Sequence, residues 1–334
     1  MKDKVFIVAE MSANHNNDFN VAAKTIREMA KSGADAVKVQ TYRPESLSLN
    51  VDNDFFKPKI NGLWKGWKPW DLYKEASMPY EWQPKLKKIA EDLGLEFFSS
   101  PFDLEAVDFL ESLNIKRYKI ASFEINDIPL ICKVASTKKP IIISTGIATT
   151  DDIELAINTC YQAKNKNVSL LKCTSEYPAR VEMANLATIT DMKRRFKVNV
   201  GLSDHTLGHI VPIVAVSLGA KIVEKHFILD RKMGGVDSAF SMEPTEFKVM
   251  VEQIRLTEKA IGTISYDVSE KDLNRRRSLF AVENINKGEI FTTSNIRSIR
   301  PGNGLSPKHY NEILGKIAKN NIKKGTPLNW DLIN

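Results

Sequence analysis

Two histidines stand at the ends of two apolar segments that have the composition of parallel strands. The segment VGLSDH brings Ser203 close to His205, and the segment IVEKH brings Glu224 close to His226. A helical apolar pattern that ends at a glycine separates them, as a strand–helix–strand crossover requires. The strand period of two places Glu224 and His226 on one face. Two imidazoles at equivalent strand ends could share a divalent metal, and two buried structural histidines are the alternative.

The elements that must position these residues alternate regularly along the chain. Eight strand-like segments occur near residues 5, 36, 95, 117, 140, 168, 198 and 221, and each precedes a helical pattern. This repetition predicts an α/β fold, a (β/α)8 TIM barrel. The alternative is an open doubly wound sheet, but no GxGxxG follows the first strand and polar residues gather after most strands. Barrels place their sites at the C-terminal ends of the strands.

Cations and hydroxyls collect at those predicted strand ends. The cations are Lys38 and Lys119, and the hydroxyls are those of Ser100, Ser122, Ser175 and Ser203. Together they predict a pocket for a polyanion, such as a substrate with a phosphate and a carboxylate. A metal on the two histidines could act as a Lewis acid on a carbonyl oxygen. Glu10, Glu124 and Glu224 offer general acid and base groups. The residues alone therefore predict metal-assisted addition of a phosphorylated anion to a carbonyl compound.

Two regions depart from the alternation. Residues 43–80 form an insertion in which Trp64, Trp67 and Trp70 fall within seven residues. Such a loop works at the site or is pinned by a satellite apolar patch, and the sequence does not decide between these. After Gly262 the chain turns to short β-like runs with two Lys-Gly turns. We predict a barrel over 1–265, a linker over 266–277 and a small β-rich domain over 278–334, which leans on its own barrel or on a partner's.

Composition restricts the compartment and the partners. The hydrophobic share of 43% and the charged share of 27% are those of a soluble globular protein. The net charge of +7 is spread without dense basic arms, which argues against nucleic acid. No apolar run is long enough to span a membrane, and the N-terminal run stops at Glu10, as in a strand. The three cysteines lack CxxC spacing and are predicted to be buried, reduced thiols, which indicates the cytoplasm.

Ten segments in order resemble one known family. They are FIVAEMSANHN, GADAVKVQTY, FSSPFD, YKIASFE, STGIAT, LLKCTSEYP, VGLSDHT, VEKHF, GGVDSAFSMEP and RSIRPGNGL. This pattern is similar to that of the sialic acid synthases, which join a (β/α)8 barrel to a C-terminal antifreeze-like (SAF) domain. The resemblance implies condensation of phosphoenolpyruvate with an open-chain amino sugar to give a nine-carbon 2-keto acid and phosphate. C3 of phosphoenolpyruvate attacks the aldehyde, water attacks C2, and the intermediate loses phosphate by C–O cleavage.

The resemblance also implies a role for each matching residue. His205 and His226 would hold Mn²⁺, with Mg²⁺ or Co²⁺ as alternatives. The residues that would bind phosphoenolpyruvate are Lys38, Ser100, Lys119, Ser122, Ser175 and Ser203. Gln40, Tyr177, Asp237 and Arg300 would bind the sugar, with Arg300 supplied by the other subunit of a domain-swapped homodimer. Glu10 would lie near the reacting end of the sugar, and Glu124 and Glu224 would position water or relay protons.

The choice of sugar and two other interpretations stay open. The segments GLWKGWKPWDLYKEA and GGVDSAFS favour the branch of the family that uses 2,4-diacetamido-2,4,6-trideoxy-L-altrose. N-acetylmannosamine or the legionaminic acid precursor would require the same chemistry. A catalytically inert sugar- or phosphate-binding barrel would be expected to lack a metal histidine or a phosphate-site lysine. A metal aldolase that does not use phosphoenolpyruvate would not need both lysines and the run of hydroxyls.

Overall fold

Eight parallel strands close into a barrel in the first of two units. The computed structural model describes residues 4–334, and the chain divides between Gly262 and Thr263. The barrel strands are β1 Phe6–Glu10, β2 Ala36–Thr41, β3 Glu96–Pro101, β4 Tyr118–Ile120, β5 Ile141–Ser144, β6 Val168–Cys173, β7 Asn199–Asp204 and β8 Ile222–His226. The first strand pairs in parallel with both β2 and β8. That closure confirms the predicted barrel and excludes the open sheet.

Helices follow the strands and cover the outside of the barrel. In chain order they are α1 Phe19–Lys31, α2 Pro44–Leu47, α3 Pro69–Ala76, α4 Gln83–Asp92, α5 Leu104–Ser112, α6 Ile128–Ser136, α7 Thr150–Gln162, α8 Ala187–Phe196, α9 Ile210–Ser217 and α10 Pro244–Ile261. The helices α2 and α3 belong to the insertion between β2 and β3. Within residues 4–334, no helix combines the length and apolarity needed to cross a membrane.

The strand period of two divides each strand between the core and the barrel interior. On β2, the side chains of Val37 and Val39 pack in the core shared with the helices, whereas those of Lys38 and Gln40 alternate to the opposite face. A separate cluster of buried apolar side chains comes from six strands: Val8, Ala36, Phe98, Ile142, Leu171 and Ile222. Two residues further along several of these strands stand the polar side chains of the site. Apolar packing thus supports the polar groups from below.

The second unit has a small core of its own. Its elements are a short helix α11 Glu270–Leu273, the strands β9 Ser278–Ala281 and β10 Ile296–Ile299, and a short helix α12 Tyr310–Ile313. The two strands pair antiparallel, and isolated bridges extend the pairing. Gly288 and Gly325 of the two Lys-Gly turns have φ of 85° and 88°, a backbone conformation that suits glycine. The tight turns expected at these sites are therefore confirmed.

The prediction of three buried cysteines is wrong for one of them. Cys160 and Cys173 are buried and all three thiols are free, but Cys132 is exposed. Cys132 lies on α6, whose buried positions are Leu130, Ile131, Val134 and Ala135. Because a helix turns by about 100° per residue, the position after Ile131 leaves the apolar face. Apolar neighbours in sequence were therefore a poor guide to its burial.

Candidate active site

Two lysines and two glutamates from four strands meet inside the barrel. Lys38 Nζ lies 2.5 Å from Glu10 Oε2 and 3.6 Å from Glu224 Oε1. Lys119 Nζ lies 3.2 Å from the same Glu224 oxygen. Each of the four side chains is at most 4% exposed. Buried charges require partners, and here the partners are one another.

Burial and the neighbouring charges shift the pKa values of all four side chains. Burial raises the pKa of Glu224, but Lys119 and Lys38 more than reverse this and lower it below its ordinary value. The pKa of Glu10 is raised by burial, and the Glu224 carboxylate adds to the rise. Burial lowers the pKa of Lys119, whereas Glu10 and Glu224 together raise the pKa of Lys38 despite its burial. As a result, Glu224 is ionised, and Glu10 retains a proton more readily than an exposed glutamate does.

Two hydroxyls contact this cluster, and two more follow the ends of the strands β4 and β6. Lys38 Nζ donates to Ser100 Oγ at 3.4 Å, and Ser203 Oγ donates to Glu224 Oε1 at 3.4 Å. Ser122 Oγ accepts from the backbone N–H of Gly146 at 3.1 Å. Ser175 Oγ lies 3.9 Å from Cys173 Sγ. Cations, hydroxyls and a backbone amide together form the donor set that an oxyanion needs.

Gly146 makes room for two of these hydroxyls. A Cβ at this position would lie 2.2 Å from Ser175 Oγ, 2.9 Å from Ser122 Oγ and 3.2 Å from Cys173 Sγ. All three distances are shorter than ordinary van der Waals contact, so no larger residue fits without moving a serine. The segment STGIAT was recognised in the sequence, but nothing in it indicated this close approach. Gly146 is a site residue that the sequence prediction missed.

The two candidate metal ligands lie side by side. The rings of His205 and His226 have centroids 5.3 Å apart. His205 Nδ1 lies 2.9 Å from the carbonyl oxygen of Thr174, which orients the ring, and the Cys173 thiol forms a side-chain hydrogen bond with the same imidazole. The buried Nδ1 of His226 has no hydrogen-bond partner in residues 4–334 and stands 3.7 Å from Asp237 Oδ2. Burial lowers the pKa of His226 well below its ordinary value, so its imidazole is neutral at pH 7.

These donors fit a divalent metal that is bound at an open site. Two adjacent imidazoles, one of them with an unpartnered nitrogen, are typical ligands of transition metals. Among the described residues, no group of three His, Cys, Asp or Glu side chains is placed to hold such an ion. The protein would therefore supply two ligands and leave the other positions to substrate or water. That arrangement suits a metal that acts on a substrate better than one that holds the fold together.

A cavity of about 330 Å³ opens beside the lysines, glutamates and histidines described above, and His226 is one of its lining residues. Among its lining residues are the predicted site residues Gln40, Ser122, Glu124, Tyr177, His226 and Asp237. Gln40 Nε2 donates to Ser12 Oγ at 2.9 Å, and the ring of Tyr177 stands 4.4 Å from that of His205. Burial raises the pKa of Asp237 above its ordinary value. The volume is at the lower end of the range for small-molecule sites and suits a sugar.

Glu124 lines this cavity and has a pKa that suits a general acid or base. Burial raises its pKa to about 7, although Lys119 acts in the opposite direction. Its Oε2 is buried without a hydrogen-bond partner in the described part of the chain. A carboxyl with a pKa near neutrality can both accept and release a proton at physiological pH. Of the three glutamates predicted to be catalytic, it is the one that lines the cavity.

The insertion forms one side of the cavity. Its residues Leu47, Lys59, Trp64, Leu72, Tyr73 and Ala76 all line it. Trp64 contacts the ring of Tyr177 at 5.5 Å, and its Nε1 donates to the carbonyl oxygen of Val236 at 2.9 Å. Trp67 is 41% exposed and does not line this cavity. Of the two interpretations left open for the insertion, the structure supports a place at the site, and for Trp64 in particular.

The barrel unit thus brings together its predicted site residues. They are Glu10, Lys38, Gln40, Ser100, Lys119, Ser122, Glu124, Ser175, Tyr177, Ser203, His205, Glu224, His226 and Asp237, which ion pairs, ring contacts or the cavity lining connect. Arg300 belongs to the second unit, where it is exposed after β10.

Lys59, Trp64 and Tyr73 were not predicted as site residues. They lie in the insertion, far along the chain from any strand end, so the pattern of polar strand ends could not identify them.

A closed (β/α)8 barrel with charged and hydroxylic groups at the C-terminal strand ends is the architecture of a barrel enzyme. The chain belongs to the NeuB family, whose model matches residues 25–266, and residues 276–334 match the SAF domain. It is 46% identical to a pseudaminic acid synthase from Campylobacter jejuni over 97% of this chain and 95% of that protein. These matches confirm the resemblance drawn from the sequence motifs.

Two further proteins show how the family varies. The chain is 40% identical to an N,N′-diacetyllegionaminic acid synthase from Campylobacter jejuni, over 96% of this chain and 98% of that protein. A crystal structure of N-acetylneuraminic acid (sialic acid) synthetase from Leptospira borgpetersenii in complex with citrate is 31% identical. It superposes with a TM-score of 0.72 and covers 80% of this chain and 89% of that chain. Similar folds in this family therefore occur with different named products.

Proposed function

We propose that the protein is a transferase that condenses phosphoenolpyruvate with open-chain 2,4-diacetamido-2,4,6-trideoxy-L-altrose to give pseudaminic acid and phosphate. The Lys38–Glu10–Glu224–Lys119 cluster beside a sugar-sized cavity is the observation that carries this proposal. It supplies charge for an anionic substrate next to space for a neutral one. The 46% identity to a pseudaminic acid synthase supports the choice of product.

The buried cluster would hold phosphoenolpyruvate. Lys38 and Lys119 would neutralise its phosphate and carboxylate charges, with hydrogen bonds from Ser100, Ser122, Ser175 and Ser203. An anion that enters here competes with Glu10 and Glu224 for the two ammonium groups. Substrate binding would therefore free one or both carboxylates to take part in proton transfer. Donors fixed in place before the substrate arrives need no reorganisation during the reaction.

The sugar would lie in the cavity with its aldehyde towards Glu10. C3 of phosphoenolpyruvate forms a bond to the aldehyde carbon, and the aldehyde oxygen becomes a hydroxyl by taking a proton. Glu10, whose pKa burial raises, would supply that proton. Glu124 would take a proton from the water that attacks C2, and the C–O bond to phosphate then breaks. Gln40, Tyr177 and Asp237 would orient the sugar through its hydroxyl and amide groups, and Glu224 would position the water.

His205 and His226 would hold a divalent metal, Mn²⁺ in the first instance and Mg²⁺ or Co²⁺ as alternatives. Bound there, the metal would polarise the aldehyde oxygen. Exhaustive chelation should abolish phosphate release and Mn²⁺ should restore it. His226→Ala should lose Mn²⁺ binding in titration calorimetry, whereas His209→Ala, outside the site, should keep it. Full activity after chelation, or unchanged Mn²⁺ binding by His226→Ala, would remove the metal from the proposal.

The proposal extends to the second unit and to the location of the enzyme. Arg300 is exposed in its own unit, so its guanidinium can reach another molecule. We assign it to the sugar site of the partner in a domain-swapped homodimer, and twofold dimers are the most common closed oligomers. We place the enzyme in the cytoplasm, where phosphoenolpyruvate is formed.

Phosphate release from phosphoenolpyruvate with a panel of sugars tests the function. The panel contains the proposed substrate, its legionaminic acid counterpart and N-acetylmannosamine. We expect the highest kcat/KM with 2,4-diacetamido-2,4,6-trideoxy-L-altrose and identification of pseudaminic acid by mass spectrometry and NMR. A higher kcat/KM for the legionaminic acid precursor would transfer the assignment to that branch, which the 40% relative keeps as the second candidate. Absence of phosphate release with every sugar would contradict the condensation.

A further inference from the structure

The loop that reaches the cavity from the insertion is built to hold two side chains in place. The N–H of Lys59 donates to the carbonyl oxygen of Trp67 at 3.1 Å, and the N–H of Gly66 donates to that of Lys59 at 2.8 Å. Gly62 and Gly66 have φ of 83° and 88°, a conformation that favours glycine in tight turns. The loop Lys59–Trp67 is therefore closed on itself. Lys59 and Trp64, its two members that line the cavity, are held relative to each other.

Trp64 is fixed on three sides. Its Nε1 donates to Val236, the residue before Asp237, and its ring contacts Tyr177. The Nζ of Lys59 lies over the Trp64 ring, 4.9 Å from the ring centroid. An ammonium on an indole face is a favourable contact, and it keeps the cation at the cavity without a carboxylate partner. In the described part of the chain, no ion pair involves Lys59.

We propose that Lys59 and Trp64 determine the sugar specificity by binding the acetamido group at C4. This inference rests on the proposed function. Trp64 offers an aromatic surface to the acetamido methyl, and Lys59 offers an N–H to the acetamido oxygen. A hydroxyl at C4 has no methyl to pack on the aromatic ring and is shorter than an acetamido group, so it gains less from these two residues. The enzyme would thus select a sugar with a second acetamido group and discriminate against one with a hydroxyl there.

The position of Trp64 assigns it to the part of the sugar distant from the aldehyde. The ring of Tyr177 contacts both neighbours, with its centroid 5.5 Å from that of Trp64 and 4.4 Å from that of His205. The reacting carbon belongs on the histidine side, next to Glu10. A group at Trp64 is separated from that carbon by the breadth of one aromatic ring. This separation places Trp64 away from C1 and C2, and among the groups beyond C2 of the proposed sugar the acetamido group at C4 is the one that offers both a methyl to an aromatic ring and an oxygen to an ammonium.

A matched pair of sugars tests the inference. The first is 2,4-diacetamido-2,4,6-trideoxy-L-altrose, and the second carries a hydroxyl in place of the acetamido group at C4. We expect the wild-type enzyme to prefer the first sugar by about 10- to 200-fold in kcat/KM, the range that one well-packed group supports. Trp64→Ala and Lys59→Met should each reduce this preference by about tenfold or more. The kcat/KM for the hydroxyl sugar should fall less than that for the acetamido sugar, and the KM for phosphoenolpyruvate should stay within about threefold.

Trp67→Ala is the matched control, because Trp67 belongs to the same loop but does not line this cavity. It should keep the wild-type preference. An equal loss for both sugars in Trp64→Ala and Lys59→Met would show that these residues only support the loop, and it would overturn the inference. An unchanged preference in both variants would overturn it as well. A wild-type enzyme that is active on both sugars without preference refutes the specificity alone, whereas one active on no sugar refutes the proposed function.

Discussion

Lys119 and Glu224 join opposite walls of the barrel. Nζ of Lys119, on β4, lies 3.2 Å from Oε1 of Glu224, on β8. These strands are four positions apart in either direction around the closed eight-stranded barrel. The Glu224 oxygen also lies 3.6 Å from Lys38 Nζ, so a single carboxylate balances two ammonium groups. The centre of the proposed phosphoenolpyruvate site is therefore a shared counter-ion that an anionic substrate must displace.

Replacement of Glu224 with Gln should separate the binding of phosphoenolpyruvate from its turnover. The change removes a negative charge that opposes the anionic substrate, so calorimetry should give an equal or lower Kd. The kcat for phosphate release should fall by about 10²- to 10⁴-fold if Glu224 takes part in positioning water or moving protons. Glu176→Gln, at an exposed glutamate of the same barrel face, should change neither. A Kd that rises together with the loss of kcat would mean that Glu224 is needed only to assemble the site.

The sequence predicted the positions of the strand-end residues well because the barrel makes them converge. Lys38 and Glu10 lie on adjacent paired strands, and their side chains share the interior by the period of two. The insertion could not be predicted in this way. Trp64 reaches the cavity through a hydrogen bond to Val236, 172 residues away in sequence. No periodicity encodes such a contact, so sequence alone left the insertion between two interpretations.

Close packing was equally invisible in the sequence. Gly146 follows a strand end, where glycine is common for many reasons, and only the positions of Ser122 and Ser175 show why it has no side chain. The prediction that Cys132 is buried was wrong because its apolar neighbours on α6 pack on the core, whereas Cys132 itself points away from it. Local pattern thus located the elements and their faces. The fit between distant side chains required the structure.

Glu124 should give the enzyme a pH dependence near neutrality. Burial raises the pKa of this carboxyl from its ordinary value of 4.5 to about 7. If its ionised form accepts a proton from water, kcat at saturating phosphoenolpyruvate should rise with pH through about 7. Glu124→Gln should lower kcat by about 10²-fold or more and remove this acidic limb. A limb that persists in the variant would assign the titration to another group.

The same carboxyl should affect stability in the opposite direction. The folded protein retains a proton on Glu124 that the unfolded chain releases near pH 4.5, because burial raises the folded-state pKa to about 7. Its contribution to stability is therefore fully present below about pH 4.5 and is lost as the pH rises through about 7. In Glu124→Gln, the thermal midpoint should fall less between these two pH values than in the wild type. An identical pH dependence would contradict the shifted pKa.

Gly146→Ala should weaken phosphoenolpyruvate binding selectively. The added Cβ would meet Ser175 Oγ at 2.2 Å and Ser122 Oγ at 2.9 Å, so at least one hydroxyl must rotate out of place. We expect the KM for phosphoenolpyruvate to rise by about tenfold or more, the effect of losing about one hydrogen bond to a charged group. The KM for the sugar should change little and serves as the internal control. Equal increases in both constants, with a lower thermal midpoint, would indicate general distortion of the barrel.

Arg300 can be tested by complementation between two variants that are each impaired at limiting sugar. Arg300→Ala should raise the KM for the sugar by about tenfold or more, since one charged hydrogen bond is lost, whereas Arg297→Ala, at another exposed arginine of the same unit, should not. If Arg300 acts in the partner's site, Arg300→Ala mixed with His226→Ala should regain activity. A mixed dimer has one site with an intact barrel and an intact arginine, so random exchange should restore about a quarter of wild-type turnover at limiting sugar. Recovery requires subunit exchange, which two differently tagged wild-type chains verify by co-purification. Exchange without recovery would place Arg300 in the site of its own chain or outside the site.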